Sequence, residues 1–324
     1  MAALSEFELI DRFFRRPGRH TVLGVGDDAA LLAPTPGCEL AVAVDMLVCG
    51  RHFFADVDPE ALGHKTLAVN LSDLAAMGAV PRWSLLAGAL PDADPAWIAA
   101  FARGFFALAD AFEVDLVGGD TTRGPLNLCV TILGEAPAGQ ALRRSAARPG
   151  EAIYVSGRLG DAALALAHHR GATALTATEL AACDRALLWP APRVPLGLRL
   201  RGLAGAAIDV SDGLVGDLGH VLAASGVGAT LDLSALPRSP ALSRLLAGSE
   251  RPLALACLLA GGDDYELCFT APVRAAAEIA ALAEQLAVPL TRIGRVEAGA
   301  GLAVHDEAGR VLAKLPEAYD HFRA

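Results

Sequence analysis

Lysine is almost missing from this chain: Lys65 and Lys314 are the only two among 324 residues. Neither stands in a G-x-x-x-x-G-K-[ST] phosphate loop, and no V-A-I-K segment carries a protein-kinase lysine. Two large nucleotide-dependent classes are thereby excluded. Positive charge is scarce altogether, since 27 Lys and Arg face 37 Asp and Glu for a net charge of -10. Binding a polyanion needs a basic face, so nucleic acid is not an expected partner.

Long apolar runs are missing too. Hydrophobic residues make up 53% of the chain, yet the run at 96–112 is broken by Arg103 and Asp110. No charge-free stretch reaches the roughly 18 residues of a membrane span, so no membrane partner is expected. The opening MAALSEFELIDRFFRR is acidic early and lacks the charged, apolar, small-residue order of a secretory signal. A cytoplasmic location is the expectation. Aromatics are only 5% and much of the apolar content is alanine, which favours helix-rich α/β packing over a β-sandwich. The cysteines at 38, 49, 129, 183, 257 and 268 are scattered through mostly apolar surroundings. That spacing suits buried reduced thiols rather than zinc or a disulfide framework.

The length exceeds one hydrophobic core, so two domains of roughly 150 residues are expected. The polar, basic PAGQALRRSAARPG at 137–150 marks the division, giving domains 1–137 and 151–324 around a linker at 138–150. In the first half, LAVAVDML at 40–47 reads as a strand and 59–78 as a helix opened by Pro59 and closed by Gly78. WSLLAGALP reads as a strand, 95–112 as a helix, VDLVGGD as a short strand running into a glycine turn, and LNLCVTILGEAP as a long strand. The second half repeats this alternation.

What the chain has in excess is carboxylate beside glycine inside apolar segments. GVGDDAALL at 24–32, VNLSDLAAMG at 69–78, LVGGDTTRG at 116–124, AAIDVSDGLVGDLGH at 206–220 and LLAGGDDYELCFTAP at 258–272 share this pattern. An ionised Asp buried without a partner costs several kcal/mol, so five such segments require compensation, and hard divalent cations supply it. Magnesium takes one or two carboxylates together with substrate phosphates. Gly26, Gly118, Gly119, Gly261 and Gly262 let backbone turn sharply and approach a phosphate. Together, acid and glycine suggest a nucleotide phosphate held through metal at one cleft. Taken singly, Asp27 and Asp28 read as a turn or cap, and Asp73 as a capping or surface residue. Asp209 and Asp212 resemble a calcium-loop opening, but position twelve of that loop is His220, not Glu.

The ordered set GVGDDAALL, VDMLVCGRHF, KTLAVNLSDLAAMGAVPRW, VGGDTTRGP, ALRRSAARPGEAIYVSGRLGDAA, AIDVSDGLVGDLGHVL, GGDDYELCFT and YDHF resembles the thiamine-monophosphate kinases. The likeness runs from about residue 5 to 322. It implies an α+β fold of two α/β-type halves, like aminoimidazole ribonucleotide synthetase, the first with a mixed sheet used in dimerisation. It further implies phosphorylation of thiamine monophosphate by ATP with several Mg²⁺ ions, in a homodimer.

By the same resemblance, Asp27, Asp28, Asp45, Asp73, Asp120, Asp209 and Asp212 are expected to bind metal, with Asp120 and Asp212 central to catalysis. Gly119, Asp120, Arg144 and Ser211 are expected to contact ATP, and His52, Asp263 and Tyr319 the thiamine phosphate. Ala43 and Val44 stand where the family usually has two hydroxyl residues, Asp263 where it commonly has Glu, and Ala318 where glycine is frequent. The alternatives are another ATP-dependent synthetase of the superfamily or a metal-dependent phosphatase. A phosphatase usually has several His ligands, whereas the eight histidines here are dispersed.

Overall fold

Proline and glycine place the helix boundaries where their backbone preferences dictate. Helix α2 (Pro59–Ala76) starts on Pro59 and α3 (Pro95–Ala111) on Pro95, the second capped by the Asp94 side chain on the Ala96 amide, while Gly78 beyond α2 takes φ +62°. The computed structural model describes residues 5–319 and residue 322. Its contacts divide the chain into two units, one of the chain up to Leu74 with Ala79–Gly139, the other of Ala75–Gly78 with Gln140 onward.

The first unit runs α1 (Glu6–Phe13), β1 (Thr21–Leu23), β2 (Leu31–Leu32), β3 (Cys38–Val48), α2 (Pro59–Ala76), β4 (Val80–Leu90), α3 (Pro95–Ala111), β5 (Asp115–Arg123) and β6 (Asn127–Pro137). Its main sheet is ordered β3-β6-β4-β5, antiparallel except for the β4/β5 pair. Helices α2 and α3 meet backbone to backbone: a Cβ on Gly63 would lie 2.0 Å from the Phe101 carbonyl, and one on Gly104 1.8 Å from that of Glu60. Only glycine permits that approach.

Side chains alternate across a strand, so register sorts them by face. Asp45, Val130, Leu86 and Gly119 make one cross-strand row; Met46, Cys129, Ala87 and Asp120 make the next, on the opposite face. Along β6, Leu128, Val130 and Ile132 are buried, whereas Val42, Val44 and Met46 on the opposite face of β3 are 61%, 60% and 53% exposed.

The second unit runs β7 (Ala152–Ser156), α4 (Asp161–His169), α5 (Ala177–Leu188), α6 (Val194–Leu200), β8 (Ala207–Asp209), α7 (Leu214–Ser225), β9 (Gly228–Asp232), α8 (Pro240–Leu246), α9 (Arg251–Ala260), β10 (Leu267–Ala271), α10 (Ala276–Leu286), β11 (Leu290–Glu297) and β12 (Gly301–His305). Its sheet is ordered β12-β9-β11-β7-β10-β8 over one continuous apolar core. The architecture is therefore the expected mixture of helix and mixed sheet in two parts. Gln140–Gly150 belongs to this second unit and is pinned there: Ala207 donates its amide to the Arg143 carbonyl, and the Ser225 hydroxyl donates to that of Arg144.

Two expectations are corrected. Strand β5 does not stop at its glycines; it bulges at Val117, skipped between the Ser84–Leu116 and Leu85–Gly118 pairs, and continues through Gly118, Gly119 and Asp120. Of the six cysteines only Cys183, Cys257 and Cys268 are buried, because Cys38, Cys49 and Cys129 lie along or beside the partly open β3 and β6.

Candidate active site

In the first unit the chain encloses a cavity of about 800 Å³. Its lining includes the turn Gly26–Asp27–Asp28 and the stretch Gly118–Gly119–Asp120 just past the β5 bulge, together with the apolar Ile10, Trp97 and Phe101. Two of the five acid and glycine segments, about ninety positions apart, thus line one cavity. Gly26 takes φ +126°, and a Cβ there would lie 2.2 Å from the Arg15 guanidinium packed against it. Gly119 takes φ +153°, with its would-be Cβ 1.8 Å from the Leu86 carbonyl. Asp28 donates its amide to the Asp27 carboxylate at 2.9 Å, so Asp27 shapes the turn, while Asp28 and Asp120 are exposed.

Asp45 does not line this cavity. Its amide donates to the buried Asn70 Oδ1 at 3.1 Å, placing the middle of β3 against α2. Desolvation, with the charge of Asp45 adding, raises the pKa of the cavity-lining Cys129 thiol. Asp73 lies half-buried on α2. His52 sits in the turn after β3, its Nδ1 accepting the Val48 amide at 2.9 Å.

Two carboxylates that no sequence pattern singles out hold the segment carrying the acidic turn. Asp115 accepts the amides of Arg19 (2.8 Å) and His20 (2.7 Å) and the Thr21 hydroxyl (2.7 Å). Glu135 accepts the Thr35 amide (2.6 Å), the Thr35 hydroxyl (2.8 Å) and Arg82 Nε (3.0 Å). Burial by itself would raise both acids, but these donors more than offset it and hold both below the ordinary carboxylate range.

In the second unit, Ser211, Asp212, Asp263 and Tyr319 come together. Asp263 donates its amide to the Ser211 carbonyl at 2.8 Å, and Tyr319 donates its own to the Asp212 carbonyl at 3.4 Å. A Cβ on Gly216 would meet that of Ala318 at 2.5 Å, so the tail lies on the first turn of α7. The amides of Ser211, Asp212 and Gly213 all donate to one oxygen of Asp217, at 3.0, 3.0 and 3.1 Å. Burial, then the neighbouring Asp209 and Asp212 charges, push Asp217 up to about 7.

Asp209 ends β8, buried. Arg144 is not with this group: its carbonyl meets Ser225 at the far end of α7 from Ser211. Asp320 and His321 of the YDHF motif lie outside the described residues.

Among the described residues, no group of three or more His, Cys, Asp and Glu stands as a ready-made metal cage. The carboxylates expected to bind metal offer hard oxygens in ones and twos. They suit Mg²⁺, which takes one or two carboxylates and completes its shell with water and phosphate, rather than a cation that needs a full protein cage.

Relatives share the whole length. Residues 26–136 match the AIR synthase related protein, N-terminal domain, and residues 148–307 the AIR synthase related protein, C-terminal domain. The chain is 45% identical to the thiamine-monophosphate kinase of Escherichia coli (strain K12) over 324 residues, 99% of each chain. The solved thiamine-monophosphate kinase of Stenotrophomonas maltophilia K279a superposes with a TM-score of 0.84 at 52% identity, covering 95% of this chain and 98% of that one. A solved complex of AaThiL with AMPPCP and TMP aligns with a TM-score of 0.76 at 29% identity, covering 98% and 97%. With two AIR synthase related domains in order and near-complete overlap at this identity, the chain belongs to the thiamine-monophosphate kinase family.

Proposed function

We propose that this chain transfers the γ-phosphoryl group of ATP directly to thiamine monophosphate, giving thiamine diphosphate and ADP. The observation that carries the reading is the first unit's cavity, lined by two glycine-flanked acidic segments and by apolar side chains, and of a volume that suits a nucleotide. Family membership and the relative's complex with AMPPCP and TMP support the substrate pair.

The acceptor is a phosphate monoester, ionised near neutral pH, so no strong base is needed to make it nucleophilic. The obstacle is repulsion between two anions. Bound Mg²⁺ would screen that repulsion. Asp27, Asp28 and Asp120, which line the cavity, would hold it; Asp45 and Asp73, and separately Asp209 and Asp212, are assigned to metal on family membership. Gly119 keeps the backbone beside Asp120 open to ATP; Ser211 and Arg144 are assigned to the nucleotide as well. Asp263 and Tyr319, which the fold sets beside Asp212, are assigned with His52 to the thiamine phosphate. Tyr319 offers a ring face to the cationic heterocycle. Asp120 and Asp212 carry the heaviest catalytic load in this reading.

The exposed apolar row of β3 supports a homodimer through the first unit's sheet, since a monomer rarely leaves such a face open. No helix among the described residues is long and apolar enough to cross a membrane, and a cytoplasmic location is proposed. Incubation with Mg²⁺, ATP and thiamine monophosphate should yield ADP and thiamine diphosphate in equal amounts. Inorganic phosphate released without ATP would instead indicate the phosphatase alternative.

A further inference from the structure

The acidic turn at Gly26–Asp28 belongs to a segment with little structure of its own: between α1 and β3 it forms only β1, of three residues, and β2, of two. Something else must set its position. Its two ends are the places where Asp115 and Glu135 act, at Arg19–Thr21 and at Thr35. Both acids are nearly closed off, at 7% and 3% exposure, and three protein donors converge on each. Gly18 keeps the approach open, because a Cβ there would lie 2.9 Å from Asp115 Oδ2. Arg82, which donates to Glu135, also reaches His20 at 3.5 Å, so the two anchor points adjoin.

Asp115 opens the same strand, β5, that carries Gly119 and Asp120 at the cavity. The segment is thus fastened to the strand that supplies the cavity's other acidic stretch, so the placement of Asp28 relative to Asp120 is set through β5. We infer that Asp115 and Glu135 are positioning residues: a pair of carboxylate clamps that hold the two ends of residues 19–35 and so fix the acidic turn for the metal-bound nucleotide. The inference rests on the reading of that turn as a nucleotide and metal contact. It concerns precision of placement, where small shifts lower binding and turnover together.

The test uses the full-length chain and variants Asp115→Asn, Thr21→Val, Thr35→Val and Asp28→Asn. Calorimetry measures binding of magnesium with a non-hydrolysable ATP analogue and, separately, of thiamine monophosphate. Amide hydrogen exchange follows peptides spanning 19–35 and, as a fold control, α3. Asp115→Asn should weaken analogue binding about tenfold and each threonine variant about threefold. Exchange in 19–35 should accelerate, while α3 and thiamine monophosphate binding stay as in the parent.

If Asp28→Asn weakens the analogue but the clamp variants bind it like the parent, the inference is overturned and the reading of the turn stands. If Asp28→Asn also binds like the parent, that reading fails and the inference falls with it. Equal weakening of both ligands with faster exchange in α3 would mean a general loss of fold and would also overturn it. The threonine variants remove one hydroxyl each and keep the test decisive should Asp115→Asn fold poorly.

Discussion

Arg193 closes a forked ion pair on Glu266, Nε to Oε2 at 2.6 Å and Nη2 to Oε1 at 2.5 Å. The Ser156 hydroxyl donates to the same carboxylate at 2.5 Å, and Glu266 is only 7% exposed. Just upstream, Asp263 and Tyr265 adopt left-handed φ values of 63° and 49°, which non-glycine residues hold only where their surroundings insist. Removing one partner of a buried charge pair strands the other, so Arg193→Ala should lower stability by about 3–5 kcal/mol. Arg193→Lys, lacking the planar fork, should recover only part of this. Urea denaturation measures both, and an unchanged midpoint in Arg193→Ala would refute the assignment.

Gly119→Ala should abolish binding of a non-hydrolysable ATP analogue, because its Cβ would lie 1.8 Å from the Leu86 carbonyl and β5 must shift. Gly139→Ala is the control: it shares a positive φ, but nothing lies within 4 Å of its would-be Cβ. Only the ordinary left-handed penalty of about 1–2 kcal/mol applies there. Calorimetry should find analogue binding lost in the first and kept in the second.

Asp120→Asn and Asp212→Asn should each reduce kcat about tenfold or more at saturating Mg²⁺, a loss of at least about 1.4 kcal/mol of transition-state stabilisation. Steady-state assay of ADP formation with thiamine monophosphate decides the matter. Rates equal to the parent would remove those residues from the catalytic assignment.

Asp115 and Glu135 are held below their ordinary values of 3.8 and 4.5. A carboxylate with a depressed folded pKa adds stability that is present above its unfolded value and lost as pH falls through the folded one. Melting temperature should therefore drop steeply on acidification below about pH 4. Asp115→Asn should lower the neutral-pH plateau and flatten that acid limb. An acid limb identical to the parent's would show that Asp115 does not contribute to it.

Val42 and Val44 stand on the uncovered face of β3 at 61% and 60% exposure. Replacing both with Glu removes apolar surface that a second copy would cover and sets like charges against each other across a symmetric contact. Sedimentation should give a dimer for the parent and a monomer for the double variant. A monomeric parent would discard the proposed interface.

Three adjacent acids show where sequence reading stopped. GGDDYE marks Asp263, Asp264 and Glu266 as unusual, and that much is legible in the chain. Their separate fates are not. Glu266 is paired with Arg193, whereas both Asp264 oxygens take the Gly160 amide, at 2.9 and 3.1 Å. Desolvation, with the charges of Glu266, Asp161 and Asp263 adding, holds Asp264 well above the usual carboxylate range. Asp263 alone leans on the Ser211 backbone beside Asp212.

The amino-acid order by itself settled what depends on neighbours a few positions away: helix starts at Pro59 and Pro95, strand alternation in β3 and β6, and glycine beside every acidic segment. It also ruled out the lysine-based phosphate loop, because a missing residue cannot be restored by folding. Only the tertiary structure separated the acids that build the scaffold from those that face the cavity. Asp115 meets Thr21 across 94 positions, Glu135 meets Thr35 across 100, and Glu266 meets Ser156 across 110. Local sequence carries no trace of such partners, since a carboxylate's burial and charge state are set by whatever the fold brings to it.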